Sequence, residues 1–501
     1  MLSDQSNLPN FQSNPSQNLR EGNTSSNQFF PQADLTNKPV PSQPFGGLPS
    51  GTGAQGSNPR ASLSSLNINT RGGFRWKTIL TGVALLALLG GAILFLASVF
   101  LKNKTKSNSK IVLTYWGLFE PEVVMQQVIS EYEAAHPNIK INYIQENLKY
   151  YRERLQSAWA QGKGPDIARI HQSWLPMLGT YLSSVPSSVY DQASYGLTFY
   201  PSAKESLTFQ GQILGIPLMY DGLSLFYNED LFRSTGKVPP KTWDELRQIA
   251  QELTARDEQG KITTAGVALG VSSNVDHWSD ILGLMMLQNG ANLADPSDSL
   301  ASDALSYFTL FSKVDRVWDA TLPSSTFAFA KGNLAMYFGP SWRVFDIKEL
   351  NPDLNFKIVP VPQLPGGRIA WSSFWAEAVF KNSSYQKEAW EFLKYLSSKE
   401  VLMKLYQAES SIRLFGEPYS RQDMADLLKA QPYVGAFIEQ APYAKNWYLS
   451  SNTQDNGINH QIIKYYEDAV NSVNNGADAA SALKTTSQGV AQVLGQYGML
   501  K

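Results

Sequence analysis

The uncharged, apolar stretch at residues 79–101 divides this chain into parts that cannot share one fold. An α-helix rises about 1.5 Å per residue, so a helix over this stretch is long enough to cross the ~30 Å hydrocarbon core of a bilayer. The stretch is also longer than the apolar core of a cleavable signal peptide, and a long polar segment precedes it. We therefore expect an uncleaved transmembrane helix within residues 76–101.

The segments on either side of this predicted span are polar. Residues 1–75 are rich in Ser, Asn, Gln, Pro and Gly and show no apolar periodicity, which predicts a disordered tail. Residues 102–110 form a short polar linker that would keep a following domain close to the membrane. Basic residues flank both ends of the span, so charge alone does not determine its orientation.

Composition narrows the chemistry that is open to the large domain at residues 111–501. The chain has no Cys and four His that lie far apart in sequence, so no disulfide, thiolate nucleophile, metal site or cofactor is expected. Acidic residues outnumber basic ones in this domain, which argues against a nucleic-acid partner. The sequence contains no motif of a serine hydrolase, zinc peptidase or nucleotide-binding enzyme, so no enzymatic activity is expected.

The large domain opens with strands and helices in alternation. Apolar runs at 111–116 and 139–143 predict strands, and the turn at 162–167 is expected to lead into a third strand that ends before His171. Amphipathic patterns at 121–135 and 150–161 predict helices between these strands. A further helix is expected from Gln172. Short connections in this order are typical of an α/β fold with a mainly parallel sheet.

The stretch 211–230, with the sequence GQILGIPLMYDGLSLFYNED, has two apolar runs joined by Met219–Gly222. Pro217 lacks a backbone donor and argues against a central position in a sheet. Asn228 is placed to cap a short helix that follows. An ordinary pair of interior strands is one interpretation of this pattern.

A second interpretation comes from resemblance. The strings GIPLMYDGLSLFYNEDLF and GKVPPKTWDEL, together with the segments at 331–342 and 387–396, resemble bacterial extracellular solute-binding proteins of family 1, the maltose-binding-protein-like type. This resemblance implies an α/β clamshell of type II, in which three crossover segments join two lobes. Lobe 1 would comprise about 111–219 and 363–408, and lobe 2 about 222–360 and 415–501.

The resemblance also implies a function. The protein would be a membrane-anchored solute-binding protein that captures a carbohydrate, with an oligosaccharide as the favoured ligand. It would do so by hinge closure and deliver the ligand to the permease subunits of an ABC transporter. Its tail would be cytoplasmic and its large domain extracytoplasmic. A membrane-anchored carbohydrate sensor or adhesin with the same fold is the alternative. A polyamine, metal or peptide binder and a glycosidase are further alternatives.

Candidate ligand-binding residues lie at the predicted strand ends and crossovers, where open α/β sheets bind ligands. Aromatic rings cover the apolar face of a sugar, and polar groups bond its hydroxyl rim. The candidates are Trp116, His171, Tyr220, Asp221, Trp342, Trp371, Phe374, Arg413 and Trp447.

Two of these candidates, Asp221 and Trp342, fall on positions that contact sugar in family members, as the resemblance implies. The sequence departs from the family where an acid and an Arg are expected after the Pro-Asp-Ile motif, since Gln172, Ser173 and Trp174 stand there. We expect Trp174 to lie in the core.

Overall fold

The computed structural model describes residues 110–451 and 453–500. The predicted tail at 1–75, the predicted transmembrane helix within 76–101 and almost all of the predicted linker at 102–110 lie outside the described residues. Within the described part of the chain, no helix combines the length and hydropathy that a membrane span requires.

Thirteen strands, numbered in chain order, make up the sheets of the described residues. They are β1 (Ile111–Gly117), β2 (Ile139–Gln145), β3 (Ile167–His171), β4 (Thr208–Phe209), β5 (Gln212–Ile213), β6 (Ser224–Asn228), β7 (Ala255–Arg256), β8 (Ile262–Val267), β9 (Leu334–Gly339), β10 (Phe356–Val359), β11 (Ala370–Trp371), β12 (Trp375–Val379) and β13 (Ala444–Lys445).

The α-helices surround these strands. They are α1 (Glu122–Ala135), α2 (Tyr151–Ala160), α3 (Leu175–Leu178), α4 (Gln192–Thr198), α5 (Pro201–Ser206), α6 (Glu229–Ser234), α7 (Trp243–Leu253), α8 (Trp278–Gln288), α9 (Ser299–Lys313), α10 (Ser325–Ala330), α11 (Arg343–Leu350), α12 (Gln386–Leu396), α13 (Lys399–Ser410), α14 (Gly435–Gln440), α15 (Ile458–Asn474) and α16 (Ala479–Gln496). Short 3₁₀ turns lie at Gln172–Trp174, Gly179–Tyr181, Gln422–Leu427 and Ala441–Tyr443.

Two sheets organise the domain, and we call each sheet with its packed helices a half. The first sheet has the order β12-β3-β1-β2, in which β1 pairs with β2 and β3 in parallel and β12 runs antiparallel to β3. The second sheet has the order β10-β6-β9-β8-β7, with β8 and β9 parallel and the other pairs antiparallel. The expected mainly parallel sheet therefore describes the first half, whereas the second sheet is mainly antiparallel.

Local sequence signals set several element boundaries. The Thr242 side chain accepts from the backbone N–H of Glu245, and the Glu245 side chain accepts in return, which is a complete capping box at the start of α7. The Asn228 side chain accepts from the backbone N–H groups of Asp230 and Leu231, both at 3.1 Å, and begins α6.

The helix expected from Gln172 is shorter than predicted. The chain instead makes the 3₁₀ turn Gln172–Trp174 and then the four-residue α3. Pro176 has no backbone N–H, so it cannot donate to the carbonyl of Gln172 as a continuous helix would require. The turn therefore ends the buried strand β3 and places three side chains at its carboxyl end.

A buried charge cluster fixes how β12 lies against β3. The Arg169 guanidinium on β3 donates to Glu377 on β12 at 2.7 Å and to Glu120 at 2.7 Å, and all three side chains are buried. The hydroxyl of Tyr115 donates to the same Glu377 carboxylate at 2.9 Å. A slip of one residue would leave these charges buried without partners, which is costly, so the cluster holds the register in which Trp375 faces His171.

The stretch 211–230 leads from the first sheet to the second. Ile216 pairs with Glu377 of the first sheet, Gly222 pairs with Ser372, and β6 of the second sheet begins at Ser224. A Cβ atom on Gly222 would lie 2.2 Å from the carbonyl oxygen of Trp371. Glycine is thus required at 222 for the close approach of two chain segments.

The second and third passages of the chain between the halves end later in the sequence than predicted. Lobe 1 was expected to resume near 363, but Gln363 bonds to Lys241 and Ile369 to Gln288, both in the second half. The chain reaches the first sheet only at β12. The third passage, expected at 409–414, is also longer, because Gln422 still donates to the carbonyl of Phe199 in the first half. The last helices, α15 and α16, pack against each other and against α9.

Replacing Thr242 by Ala should lower the free energy of unfolding by about 1 kcal/mol, because the backbone N–H of Glu245 loses its acceptor. Urea denaturation followed by circular dichroism measures the change. Thr242→Ser keeps the hydroxyl, so its free energy of unfolding should stay within about 0.5 kcal/mol of the value for the unsubstituted protein. Equal losses in both variants would show that the cap does not stabilise α7.

Candidate functional site

Four of the predicted site residues come together near the end of β3. They meet there with the stretch 211–230, which is the first passage of the chain between the two halves. His171 Nε2 lies 3.1 Å from the hydroxyl of Ser373, and the backbone N–H of Ser373 donates to the carbonyl of Asp221 at 3.0 Å. The rings of Tyr220 and Phe374 stack with a centroid distance of 6.3 Å. The structure thus gathers His171, Tyr220, Asp221 and Phe374 around one short segment.

The Asp221 carboxylate joins the first passage to the turn that follows β9. It accepts from the backbone N–H of Gly222 at 2.7 Å and from the backbone N–H and hydroxyl of Ser341 at 3.1 and 2.9 Å. Burial raises the pKa of Asp221 to about 7, although these hydrogen bonds act to lower it. A carboxyl group in this state can both accept and donate, which suits the rim of a neutral ligand.

His171 is an uncharged group at physiological pH. Complete burial lowers the pKa of its imidazole to about 3. Its two ring nitrogens lie within hydrogen-bond distance of the hydroxyls of Ser173, at 2.6 Å, and Ser373, at 3.1 Å. His171 therefore positions two serine side chains and offers no cationic charge to a ligand.

Trp342 lies in the second half, at the start of α11, and is half-buried. The Arg343 guanidinium sits 4.3 Å from the centroid of its ring, and the His277 ring meets it edge-on at 5.8 Å. Arg343 Nε also donates to His277 Nε2 at 3.0 Å, so the His277 proton must reside on Nδ1, next to Ser451 at 3.1 Å. Burial lowers the pKa of His277, which agrees with a neutral ring.

Sequence analysis missed His277, Asp280 and Arg343, which form this network with Trp342. Asp280 accepts from the hydroxyl of Ser451 and from the indole N–H of Trp371, the latter at 2.9 Å. No sequence motif marks these residues, because their partners lie up to 174 positions away in sequence. A polar His-x-x-Asp spacing at the start of an apolar helix was the one available signal.

Trp371 is not the ligand-facing residue that was predicted. Its side chain is 1% exposed, packs on Gly283 of α8, and uses its indole N–H on Asp280. The prediction failed because the second passage lies later than expected, so Trp371 still belongs to the core of the second half. Phe374 and Tyr220 are also buried, and they pack beneath the site.

Three candidates remain, and Arg413 has contacts of its own. Arg413 pairs with Glu409 at 2.9 Å and Glu417 at 3.0 Å, and its guanidinium lies 5.2 Å from the ring centroid of Phe345. These contacts give Arg413 a structural role. Trp116 and Trp447 are half-buried, near Tyr151 and Tyr448 respectively.

The turn after β3 carries polar groups that the fold leaves unpaired. Neither amide atom of Gln172 nor the indole N–H of Trp174 has a hydrogen-bond partner among the described residues, although both side chains are buried. An unpaired buried polar group costs about 1–3 kcal/mol. Trp174 does pack in the core as predicted, against Trp375 at 5.1 Å, yet its N–H remains open. The sequence signal for these unpaired groups was the absence of the acid and the Arg that the family resemblance leads one to expect after the Pro-Asp-Ile motif.

The described residues contain no group of three or more His, Asp or Glu side chains placed to hold a metal ion.

Comparison with known proteins gives a consistent result. A sequence model of the family described as bacterial extracellular solute-binding protein matches residues 127–413, which is more than half of the chain. The multiple sugar-binding protein of Streptococcus mutans is 22% identical over 357 residues, covering 66% of this chain and 81% of the relative. The maltodextrin-binding protein of Bacillus subtilis is 22% identical over 355 residues, covering 66% and 80%.

Solved structures share the fold. A cyclo/maltodextrin-binding protein complexed with maltotetraose aligns with a TM-score of 0.64 at 19% identity, covering 78% of this chain and 99% of that one. An ABC transporter solute-binding protein from Thermotoga lettingae, bound with alpha-D-tagatose, aligns with a TM-score of 0.60 at 22% identity, covering 77% and 100%. The described domain therefore has the mixed α/β fold of these binding proteins.

Asp221 should make stability depend on pH. Its folded pKa of about 7 lies above the unfolded value of about 3.9, so its contribution is present below the unfolded pKa and is lost as pH rises through 7. Relative to Asp221→Asn, the unsubstituted protein should lose roughly 1.4 kcal/mol of unfolding free energy per pH unit between about pH 4 and 7.

Urea denaturation of the sugar-free protein at several pH values measures this difference. Asp303→Asn removes an exposed carboxylate and is the matched control, which should leave the slope unchanged. If the unfolding free energy changes with pH at the same rate in the unsubstituted protein and in Asp221→Asn, the raised pKa of Asp221 is contradicted.

Proposed function

Because the chain belongs to the family of bacterial extracellular solute-binding proteins, we propose that it captures a carbohydrate outside the cytoplasm and delivers it to an ABC transporter. The observation that carries this proposal is the family match, which extends across both halves of the domain. Relatives named for sugars and fold neighbours bound to sugars support carbohydrate as the ligand class. The protein acts by binding and not by catalysis, as its relatives do.

The chemistry at the junction of the halves suits an oligosaccharide. Trp342 offers an aromatic surface, and Asp221, Ser341 and Ser373 supply polar groups nearby in the fold. Aromatic rings pack on the C–H face of a sugar, and carboxyl and hydroxyl groups bond its rim. These residue types support capture of a neutral, hydroxyl-rich molecule.

The proposed mechanism is closure of the two halves on the ligand. Contacts already join the first half to the segment that begins α15. Arg152 on α2 donates to Asp455 at 2.6 Å, and Ser173 donates to Asn459 at 2.7 Å. The Arg152 and Asp455 side chains are 10% and 1% exposed, so this ion pair is shielded from solvent. Such a pair would favour the closed state, which a ligand then selects.

The proposed setting is the membrane surface. The uncharged stretch at 79–101 would anchor the domain, with residues 1–75 on the cytoplasmic side and the binding domain outside. The short linker at 102–110 would hold the loaded domain near permease subunits at high effective concentration.

Trp342→Ala should weaken sugar binding at least about tenfold, because it removes the aromatic surface that a sugar ring would cover. A thermal-shift screen of the purified full-length chain against mono- and oligosaccharides identifies a ligand, and calorimetry then measures the affinity. The detergent must lack a sugar headgroup. Trp342→Phe keeps an aromatic ring and should lose less. Unchanged affinity in Trp342→Ala would remove Trp342 from the site.

Arg152→Ala should raise the apparent dissociation constant for the same sugar at least about fivefold, because a smaller fraction of the protein is closed before binding. Arg154→Ala is the matched control. It lies on the same helix but pairs with Glu146 within the first half, at 3.0 Å. If both variants bind like the unsubstituted protein, the ion pair does not favour closure.

A further inference from the structure

The backbone N–H of Gln172 is hydrogen-bonded, whereas its side-chain amide has no partner among the described residues. Its backbone N–H donates to the carbonyl of Phe374 at 3.2 Å, which holds the turn against the start of β12. The side chain is 2% exposed, yet neither its amide oxygen nor its amide nitrogen has a partner within the described residues. Buried side-chain amides are normally hydrogen-bonded, so a residue placed in this way calls for a partner that the described residues do not supply.

Two neighbours share this property. Trp174, two residues on, is fully buried with its indole N–H unpaired in the described part of the chain. Ser202 lies on α5, which packs against the turn Gln172–Trp174, and its buried hydroxyl likewise has no partner among the described residues. Three side chains from two elements therefore present open donors and acceptors at the carboxyl end of β3.

None of these three groups carries a charge, and the two ionisable groups that precede them on β3 are neutral or paired. His171, which precedes Gln172, has its pKa lowered to about 3 by burial. The charge of Arg169 is taken up by Glu120 and Glu377. A charged substituent placed here would be buried without a counter-ion, which is strongly unfavourable.

Resting on the carbohydrate-binding function proposed above, we propose that Gln172, Trp174 and Ser202 bind the ligand's hydroxyl groups and restrict the ligand at this position to an uncharged sugar. The Gln172 amide offers a donor and an acceptor side by side, which matches two adjacent hydroxyls on a sugar ring. The Trp174 indole N–H donates to a further oxygen, and the Ser202 hydroxyl both donates and accepts. The turn would thus select neutral sugars over uronic acids, amino sugars and sugar phosphates.

The proposal predicts opposite effects on stability and on binding. Gln172→Met replaces an unpaired buried amide by an apolar side chain of similar length, so the Tm of the sugar-free protein should rise. The same variant should weaken sugar binding at least tenfold, because the donor and acceptor are lost. A residue that only filled the core would not combine a higher Tm with weaker binding.

The experiment uses the full-length protein in a detergent without a sugar headgroup. Calorimetry measures binding of neutral probes (maltotetraose, mannobiose, mannotriose and tagatose) and of charged probes (digalacturonate and a glucosamine disaccharide). Ser202→Ala removes one open group with little change in volume, and Trp174→Phe removes the indole N–H while keeping an aromatic ring. Each should raise the dissociation constant severalfold, and the Tm of Trp174→Phe is measured alongside because the smaller ring leaves a cavity. Gln127→Met, on an exposed position of α1, is the matched control and should bind unchanged.

The possible outcomes separate this proposal from the function on which it rests. Binding of a neutral probe that is weakened in the Gln172, Trp174 and Ser202 variants supports both. Binding of a neutral probe that stays within twofold in all three variants overturns the role of the turn and leaves sugar capture standing. Binding of charged probes alone overturns the selection for neutral sugars, again without affecting sugar capture. Failure of every sugar to bind overturns both.

Discussion

The hydrogen-bonded pairing of two chain segments between the sheets is the constraint on which the rest of the domain depends. Leu223 donates to the carbonyl of Trp371 at 3.0 Å, and Ser373 donates to that of Asp221 at 3.0 Å. Both segments connect the two halves, so their pairing fixes where the halves meet. The candidate site lies at this junction because His171, Asp221 and Ser341 all reach the paired segments. The absence of a side chain at Gly222 permits the close approach.

Burial shapes the electrostatics of this junction more than charge does. His171 and His277 are kept neutral by burial, and burial raises the pKa of Asp221. Arg169 and Arg343 are present nearby, but the first is held by two carboxylates and the second by Asp346 and the ring of Trp342. Dipoles and aromatic surface therefore dominate the site, in keeping with an uncharged ligand.

Features that depend on residues close together in sequence could be predicted from the sequence. Contacts between residues far apart in sequence could not. The cap at Asn228 involves residues within three positions, and the structure confirms it. The capping box at Thr242 depends on residues equally close in sequence. The grouping of strand-end residues follows from the α/β order, and His171 and Asp221 do come together. Trp371 was misplaced because its partner, Asp280, lies 91 positions away, and the open amide of Gln172 depends on how several distant elements pack.

The paired segments also restrict how the two halves can move. Sliding one segment past the other would break the hydrogen bonds of Leu223 and Ser373, whereas twisting both about their common axis would keep them. Two connectors bonded side by side therefore act as a torsion strip, which resists translation and yields to rotation. The proposed closure would therefore be chiefly a rotation about this axis, with little sliding of one half past the other.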